Sequence, residues 1–77
     1  MITVLLFAQL QEDAGTDQLE LNIDEINVRE LKERLQSDYN LSKLDQVMVA
    51  VNEEYALDDD VIKKGDTVAI IPPVSGG

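Results

Sequence analysis

The 77-residue sequence contains no cysteine and no histidine. Without cysteine the chain cannot form a disulfide, bind a metal through thiolates or use a thiol as a nucleophile. Without histidine it lacks the commonest general base and a common metal ligand. We therefore expect a chain that is not an enzyme on its own and that holds no metal or other cofactor.

Basic residues are also scarce. The chain has six Lys and Arg residues and sixteen Asp and Glu residues, which gives a formal net charge of −10. A field of this sign repels nucleic acids and anionic membrane surfaces and favours basic protein partners. Apolar runs stay far below the roughly 18 residues of a membrane span, and the first ten residues lack the basic region of a signal peptide. We expect a cytoplasmic protein that binds neither nucleic acid nor membrane.

What is present is a strand pattern at both ends of the chain and a helix pattern between them. Apolar residues alternate in "ITVLLFA" and again from Leu19 to Ile23, and "QVMVAV" and "TVAII" are strand-like apolar runs. We expect a strand buried on both faces over "QVMVAV" and a loop from Gln9 to Gln18. The segment from Asn52 to Ala56 is expected to hold a turn and a short strand, and "KKGD" to form a turn at Gly65.

One helix is predicted after the second strand. Val28, Leu31 and Leu35 fall on one helical stripe, and Asn27 with Glu30 has the spacing of a capping box. Asn40 suits a left-handed helix end. The order of elements predicts an α+β fold of the β-grasp kind, a mixed sheet of four to five strands packed on one main helix.

The acidic run from Asp58 to Asp60 is a possible cation site. Calcium loops, however, place their ligands at alternate positions with a glycine between them, and three consecutive carboxylates cannot point at one ion. We interpret the run as a solvated turn before the next apolar residues.

The outer face of the first strand is more informative. If Ile2, Val4 and Leu6 face the helix, Leu5 and Phe7 must point the other way. Two interpretations are open: loops cover these side chains, or they form a surface on which a partner docks.

The sequence ends in "IIPPVSGG". Proline has no amide donor, so the last strand must stop at Pro72, and the two prolines favour an extended exit. We expect a domain over residues 1–73 and a flexible tail over residues 74–77 that narrows to two glycines. Glycine lets another protein approach the backbone closely, and the carboxylate of Gly77 would need activation before it could react.

The segments "VLLFAQLQEDAG", "VAVNEEY" and "IKKGDTVAIIPPVSGG" resemble the small subunits of molybdopterin synthase over essentially the whole chain. The resemblance implies a ubiquitin-like β-grasp fold and a role as sulfur carrier in molybdenum cofactor biosynthesis. It implies that Gly77 is adenylated with ATP by a ubiquitin-activating-type enzyme, converted to a thiocarboxylate with sulfur from a persulfide donor, and used to sulfurate cyclic pyranopterin monophosphate.

The same resemblance implies a complex of two small and two large synthase subunits, with the catalytic side chains on the large ones. The expected contacts to the large subunit are the tail and the outer face of the first strand: Pro73, Val74, Ser75, Gly76, Leu5 and Phe7.

Three alternatives remain open at the level of sequence. A sulfur carrier of thiamine synthesis would share the fold and the two glycines. A ubiquitin-like modifier would use the same adenylated Gly77 but transfer the acyl group to a lysine amine. An adaptor would dock its tail in a pocket without modification.

Overall fold

The computed structural model describes residues 1–41 and 44–72, which form seven β-strands and two α-helices. A 3₁₀ turn at Leu44–Gln46 leads into the fourth strand. In chain order the elements are β1 (Ile2–Leu6), α1 (Gln9–Ala14), β2 (Gln18–Leu21), β3 (Glu25–Asn27), α2 (Val28–Tyr39), β4 (Met48–Val51), β5 (Glu54–Ala56), β6 (Val61–Lys63) and β7 (Thr67–Ile71).

Five of these strands form a mixed sheet in the order β2-β1-β7-β4-β5. The central strand, β7, runs parallel to β1, and every other neighbouring pair in the sheet is antiparallel. β3 and β6 pair antiparallel in a separate two-stranded sheet. This architecture confirms the predicted α+β, β-grasp fold with one main helix on a mixed sheet.

The hydrophobic core lies on one face of the large sheet, against α2. Ile2 and Val4 are fully buried and Leu6 is 1% exposed, so the predicted inner face of β1 is confirmed. The helix contributes Val28, Leu31 and Leu35. Each of these side chains removes its apolar surface from water, which is the dominant favourable contribution to folding. The other core residues are Leu10, Leu19, Leu21, Ile26, Leu41, Leu44, Val47, Val49, Ile62, Val68 and Ile70.

Both ends of α2 are set by asparagine. The side chain of Asn27 accepts a hydrogen bond from the backbone N–H of Glu30 at 2.7 Å, and the Glu30 carboxylate accepts one from the backbone N–H of Asn27 at 3.4 Å. At the other end Asn40 adopts a left-handed conformation with φ 57°. The predicted capping box and helix end are both confirmed.

The predicted loop from Gln9 to Gln18 is wrong in its first half. Residues 9–14 form α1, because Leu10 packs into the core and is only 4% exposed. Gly15 ends this helix in a left-handed conformation with φ 78°. One buried side chain on a six-residue helix leaves too little periodicity to be recognised in the sequence.

The expectation that "QVMVAV" is buried on both faces is wrong at Met48. The strand starts at Met48, whose side chain is 47% exposed, whereas Val49 on the inner face and Ala50 on the same face as Met48 are both buried. The reason is that α2 covers one face of the sheet, and the opposite face is left open by the residues that the structure describes.

The acidic run at Asp58–Asp60 forms a turn, as predicted, but it also fastens the β5–β6 connection to α2. Asp58 pairs with Lys32 at 2.9 Å and Asp59 pairs with Arg29 at 2.9 Å. The Asp60 carboxylate accepts a hydrogen bond from the backbone N–H of Leu57 at 2.8 Å. Lys32, which the helix pattern alone places in water, is thereby drawn against the protein, and its side chain is 17% exposed.

Candidate functional site: the open sheet face and the chain exit

The face of the sheet opposite α2 is apolar across its central strands. Strand register places Leu5 of β1 beside Ala69 of β7, and Ala69 beside Ala50 of β4. One row further along, Ile71 lies beside Met48. Because side chains alternate between faces, these five residues point away from α2 and form one continuous apolar surface.

Phe7 follows β1 and is 44% exposed. Together with Ala8, Ala69, Ile71 and Pro72 it lines a shallow, almost entirely apolar groove. We call these five residues the exit groove, because β7 ends there and the chain continues from Pro72 toward the tail. The structure thus places Phe7 on the open face, as the sequence predicts, and Leu5 next to it at partial exposure.

The other predicted site residues lie outside the described residues. These are Gly77, Gly76, Ser75, Val74 and Pro73. The structure fixes the point from which they leave the domain, since Pro72 is described and lies in the exit groove. The predicted boundary between domain and tail, after residue 73, also lies outside the described residues.

Ala8 is a groove residue that was not among the predicted site residues: the alternating pattern of β1 runs on to Ala8 in the sequence, but the strand ends at Leu6 and Ala8 is exposed. Its backbone has φ 52° and ψ −126°, and the N–H of Leu10 donates a hydrogen bond to the carbonyl of Phe7 at 3.1 Å. These values match the second position of a type II′ turn, where glycine is strongly favoured because it has no Cβ. An L-residue held in such a conformation costs on the order of 1–3 kcal/mol. Alanine is not a turn residue, so no local pattern predicts this conformation.

Charge is distributed unevenly around this surface. The described Lys and Arg residues lie on α2 and around the β6–β7 turn: Arg29, Lys32, Arg34, Lys63 and Lys64. Glu20, by contrast, pairs with Thr3 on β1, and register places both side chains on the open face. With a net charge of −10 for the whole chain, the open face is an apolar surface in a negative field.

Two aspartates far from the exit groove hold turns in place. The pKa of Asp66 is lowered chiefly by a hydrogen bond from the backbone N–H of Lys63, and also by one from the Asn52 side chain. The pKa of Asp58 is lowered first by its hydrogen bond from Lys32 and then by the positive charge of that lysine. Hydrogen bonds to a carboxylate favour its ionised form. Both carboxylates therefore stabilise turns of the folded chain.

Within residues 1–41 and 44–72, no three acidic side chains come together in a group that could hold a metal ion. No helix in that part of the chain is both long and apolar enough to span a membrane. What the described structure offers is an exposed apolar groove beside the point where the chain leaves the sheet.

Comparison with known proteins agrees with this fold. Residues 4–77 match the ThiS family. The chain is 40% identical over 81 residues to the molybdopterin synthase sulfur carrier subunit of Escherichia coli (strain K12), and the match covers 100% of both chains. Among solved structures, a putative molybdopterin converting factor subunit 1 from Pyrococcus furiosus is 31% identical with a TM-score of 0.80, covering 95% of this chain and 97% of that one. SAMP1 from Haloferax volcanii is 29% identical with a TM-score of 0.83, covering 99% and 98%. The chain belongs to the ThiS family.

Proposed function

We propose that this chain is the sulfur carrier subunit of a molybdopterin synthase and that Gly77 carries the sulfur as a thiocarboxylate. The observation that carries the proposal is the full-length similarity to the sulfur carrier subunit of Escherichia coli. This relative favours molybdopterin synthesis over the thiamine alternative. The exit groove supports the proposal, because a carrier must present its end and bind its receiver at the same place.

The first step of the proposed reaction is activation of the Gly77 carboxylate. At neutral pH this group is ionised and is a poor electrophile. One carboxylate oxygen attacks the α-phosphorus of ATP, pyrophosphate leaves, and an acyl-adenylate forms. We assign ATP binding to a ubiquitin-activating-type enzyme, so the carrier itself holds no cofactor.

The second step exchanges oxygen for sulfur. The terminal sulfur of a persulfide on a donor protein attacks the carbonyl carbon of the adenylate, and AMP leaves with its electron pair. A thiol then attacks the resulting disulfide, so that a new disulfide forms and the Gly77 thiocarboxylate is released. The thiocarboxylate sulfur finally forms a C–S bond to cyclic pyranopterin monophosphate, and water then cleaves the bond between that sulfur and the Gly77 carbonyl carbon, so that the sulfur stays on the pterin and Gly77 returns to a carboxylate.

Delivery occurs, in this proposal, inside a cytoplasmic complex of two small and two large subunits. Phe7 and Leu5 dock on the large subunit, which supplies the catalytic side chains. Pro73, Val74, Ser75 and Gly76 span the distance from the groove to the pterin, and the small size of Ser75 and Gly76 lets the chain pass through a narrow channel.

A ubiquitin-like modifier is a second candidate, because the fold is similar to SAMP1 and a close structural neighbour is described as small archaeal modifier protein 1. In that case a lysine amine, not a persulfide, would attack the adenylate. The chain would then end up in an amide bond and would carry no sulfur.

Intact-mass measurement separates the two functions. The chain is incubated with ATP, the activating enzyme and a persulfide donor, and its mass should rise by the difference between sulfur and oxygen. Addition of the large subunit and the pterin precursor should restore the original mass. Two matched controls, deletion of Gly77 and addition of one residue after it, should abolish the shift. A ladder of amide conjugates with no sulfur-bearing form would contradict the carrier function and favour the modifier.

A further inference from the structure

Ala8 occupies a backbone conformation that favours glycine, yet it carries a side chain. The methyl group of Ala8 is exposed and forms part of the wall of the exit groove, between Phe7 and the end of β7. Glycine at this position would relieve the backbone strain and would remove that part of the wall. The stability of the fold alone would therefore favour glycine at position 8, but the chain has alanine there and so keeps a methyl group in the groove.

The turn at Ala8 also fixes the position of Phe7. The carbonyl of Phe7 accepts the hydrogen bond from Leu10, and the carbonyl of Ala8 accepts hydrogen bonds from Gln11 and Glu12 at 3.1 and 3.3 Å. Leu10 is anchored in the core. The backbone on both sides of the Phe7 ring is therefore held between β1 and α1, although the ring itself is partly exposed.

The position of the groove determines which protein can cover it. Five residues follow Pro72 up to Gly77, and a fully extended chain of that length reaches at most about 18 Å. A protein that takes Gly77 into an active site must therefore bring that site within about 18 Å of Pro72, which places its surface close to the exit groove. The chain has a net charge of −10, and the groove residues include no described Lys or Arg. The protein that covers the groove is therefore expected to have an apolar contact patch surrounded by basic residues.

We propose that Ala8 is a binding residue of the exit groove, and that its methyl group and the Phe7 ring together hold an apolar side chain of the large synthase subunit. This inference rests on the proposed function, which supplies the partner. In this arrangement the backbone strain at Ala8 is retained for binding and lowers the stability of the free subunit.

The test is Ala8→Gly, measured in the full chain for both thermal stability and affinity for the large subunit. Relief of the strain should outweigh the extra freedom of glycine in the unfolded chain, so Tm should rise by roughly 2–6 °C. Loss of one buried methyl group and of a rigid turn should weaken binding by about four- to tenfold. The two effects have opposite signs, whereas a residue that served only the stability of the fold would show no loss of binding.

Asn40→Gly is the matched control. Asn40 also has a positive φ, 57°, and is uncharged, but it ends α2 on the opposite side of the sheet from the groove. Its replacement should keep or raise Tm without changing the affinity. If the wild-type chain binds the large subunit and Ala8→Gly binds equally well, Ala8 has no role in the groove, and the proposed function stands. If the wild-type chain does not bind the large subunit, the proposed function itself is wrong, and the role of Ala8 falls with it.

Discussion

Leu5 lies beside Ala69 in the parallel pairing of β1 and β7, at the centre of the large sheet. Two residues further along each strand are Phe7 and Ile71, which both line the exit groove. The parallel pairing is what brings these groups together, because it places the carboxyl ends of both strands at the same edge. The parallel pairing thus places the apolar groove beside Pro72, where the chain leaves the sheet.

Phe7→Glu should weaken binding of the large subunit by at least tenfold. The substitution places a charge in an apolar groove, where an interface would leave it without a partner. The fold should survive, since Phe7 is 44% exposed. Titration with the large subunit and thermal melting of the free chain, taken together, check both statements.

Leu57→Glu is the control for Phe7→Glu, because it adds the same charge at a 77% exposed apolar residue outside the groove. It should bind like the wild type. A large fall in Tm for Phe7→Glu would show that the ring supports the core, and would contradict its assignment to the docking surface.

Leu31→Ala should reduce the free energy of unfolding by about 2–5 kcal/mol, because it deletes a side chain at the centre of the core and leaves a cavity. Leu31 is fully buried on α2. For a domain of this size, such a loss corresponds to a fall in Tm of more than about 10 °C. Leu57→Ala, at an exposed position, should change Tm little, and equal losses for the two variants would contradict the assigned core.

Asn27→Ala should cost about 0.5–2 kcal/mol of stability by removing the N-cap of α2. The lost hydrogen bond is the 2.7 Å contact from the backbone N–H of Glu30. Denaturant unfolding measures the change. Asn27→Ser keeps an acceptor at the cap and should recover most of the loss, whereas no recovery would assign the effect to a contact other than the cap.

The sequence predicted those parts of the fold that repeat a local pattern. Ile2, Val4 and Leu6 alternate, and Val28, Leu31 and Leu35 recur at helical spacing, so both inner faces could be identified before the structure was known. The pairing of β3 with β6 could not be identified, because it joins three-residue strands that are distant in the chain and too short to show a period.

The residues of the candidate site also differ in whether a local sequence pattern indicates them. Phe7 could be selected because an outward-facing aromatic residue is unusual in a chain with one Phe and two Tyr. Ala8 was not selected, because the feature that distinguishes it is a backbone angle that tertiary structure imposes. The contribution of Pro72 to the groove depends on the parallel pairing of β1 with β7, which no local pattern indicates.

Acid should destabilise the chain through Asp66, whose pKa in the folded protein is lowered by hydrogen bonds from the Lys63 backbone and the Asn52 side chain. A group with a lowered pKa stabilises the fold at pH values above its ordinary pKa of about 4, and this stabilisation is lost as the pH falls through the folded-state pKa. Asp66→Asn has one carbonyl oxygen where the carboxylate has two acceptors. It should therefore be less stable than the wild type at pH 7, and the difference should shrink toward pH 3. Denaturant midpoints of both chains at each pH give this difference, and the comparison cancels the general relief of repulsion as other carboxylates are protonated.

Glu12→Gln, which removes one charge from the exposed side of α1, controls for net charge and should follow the wild type. A difference between Asp66→Asn and the wild type that stayed constant from pH 7 to pH 3 would show that the ionised form of Asp66 contributes nothing to the turn.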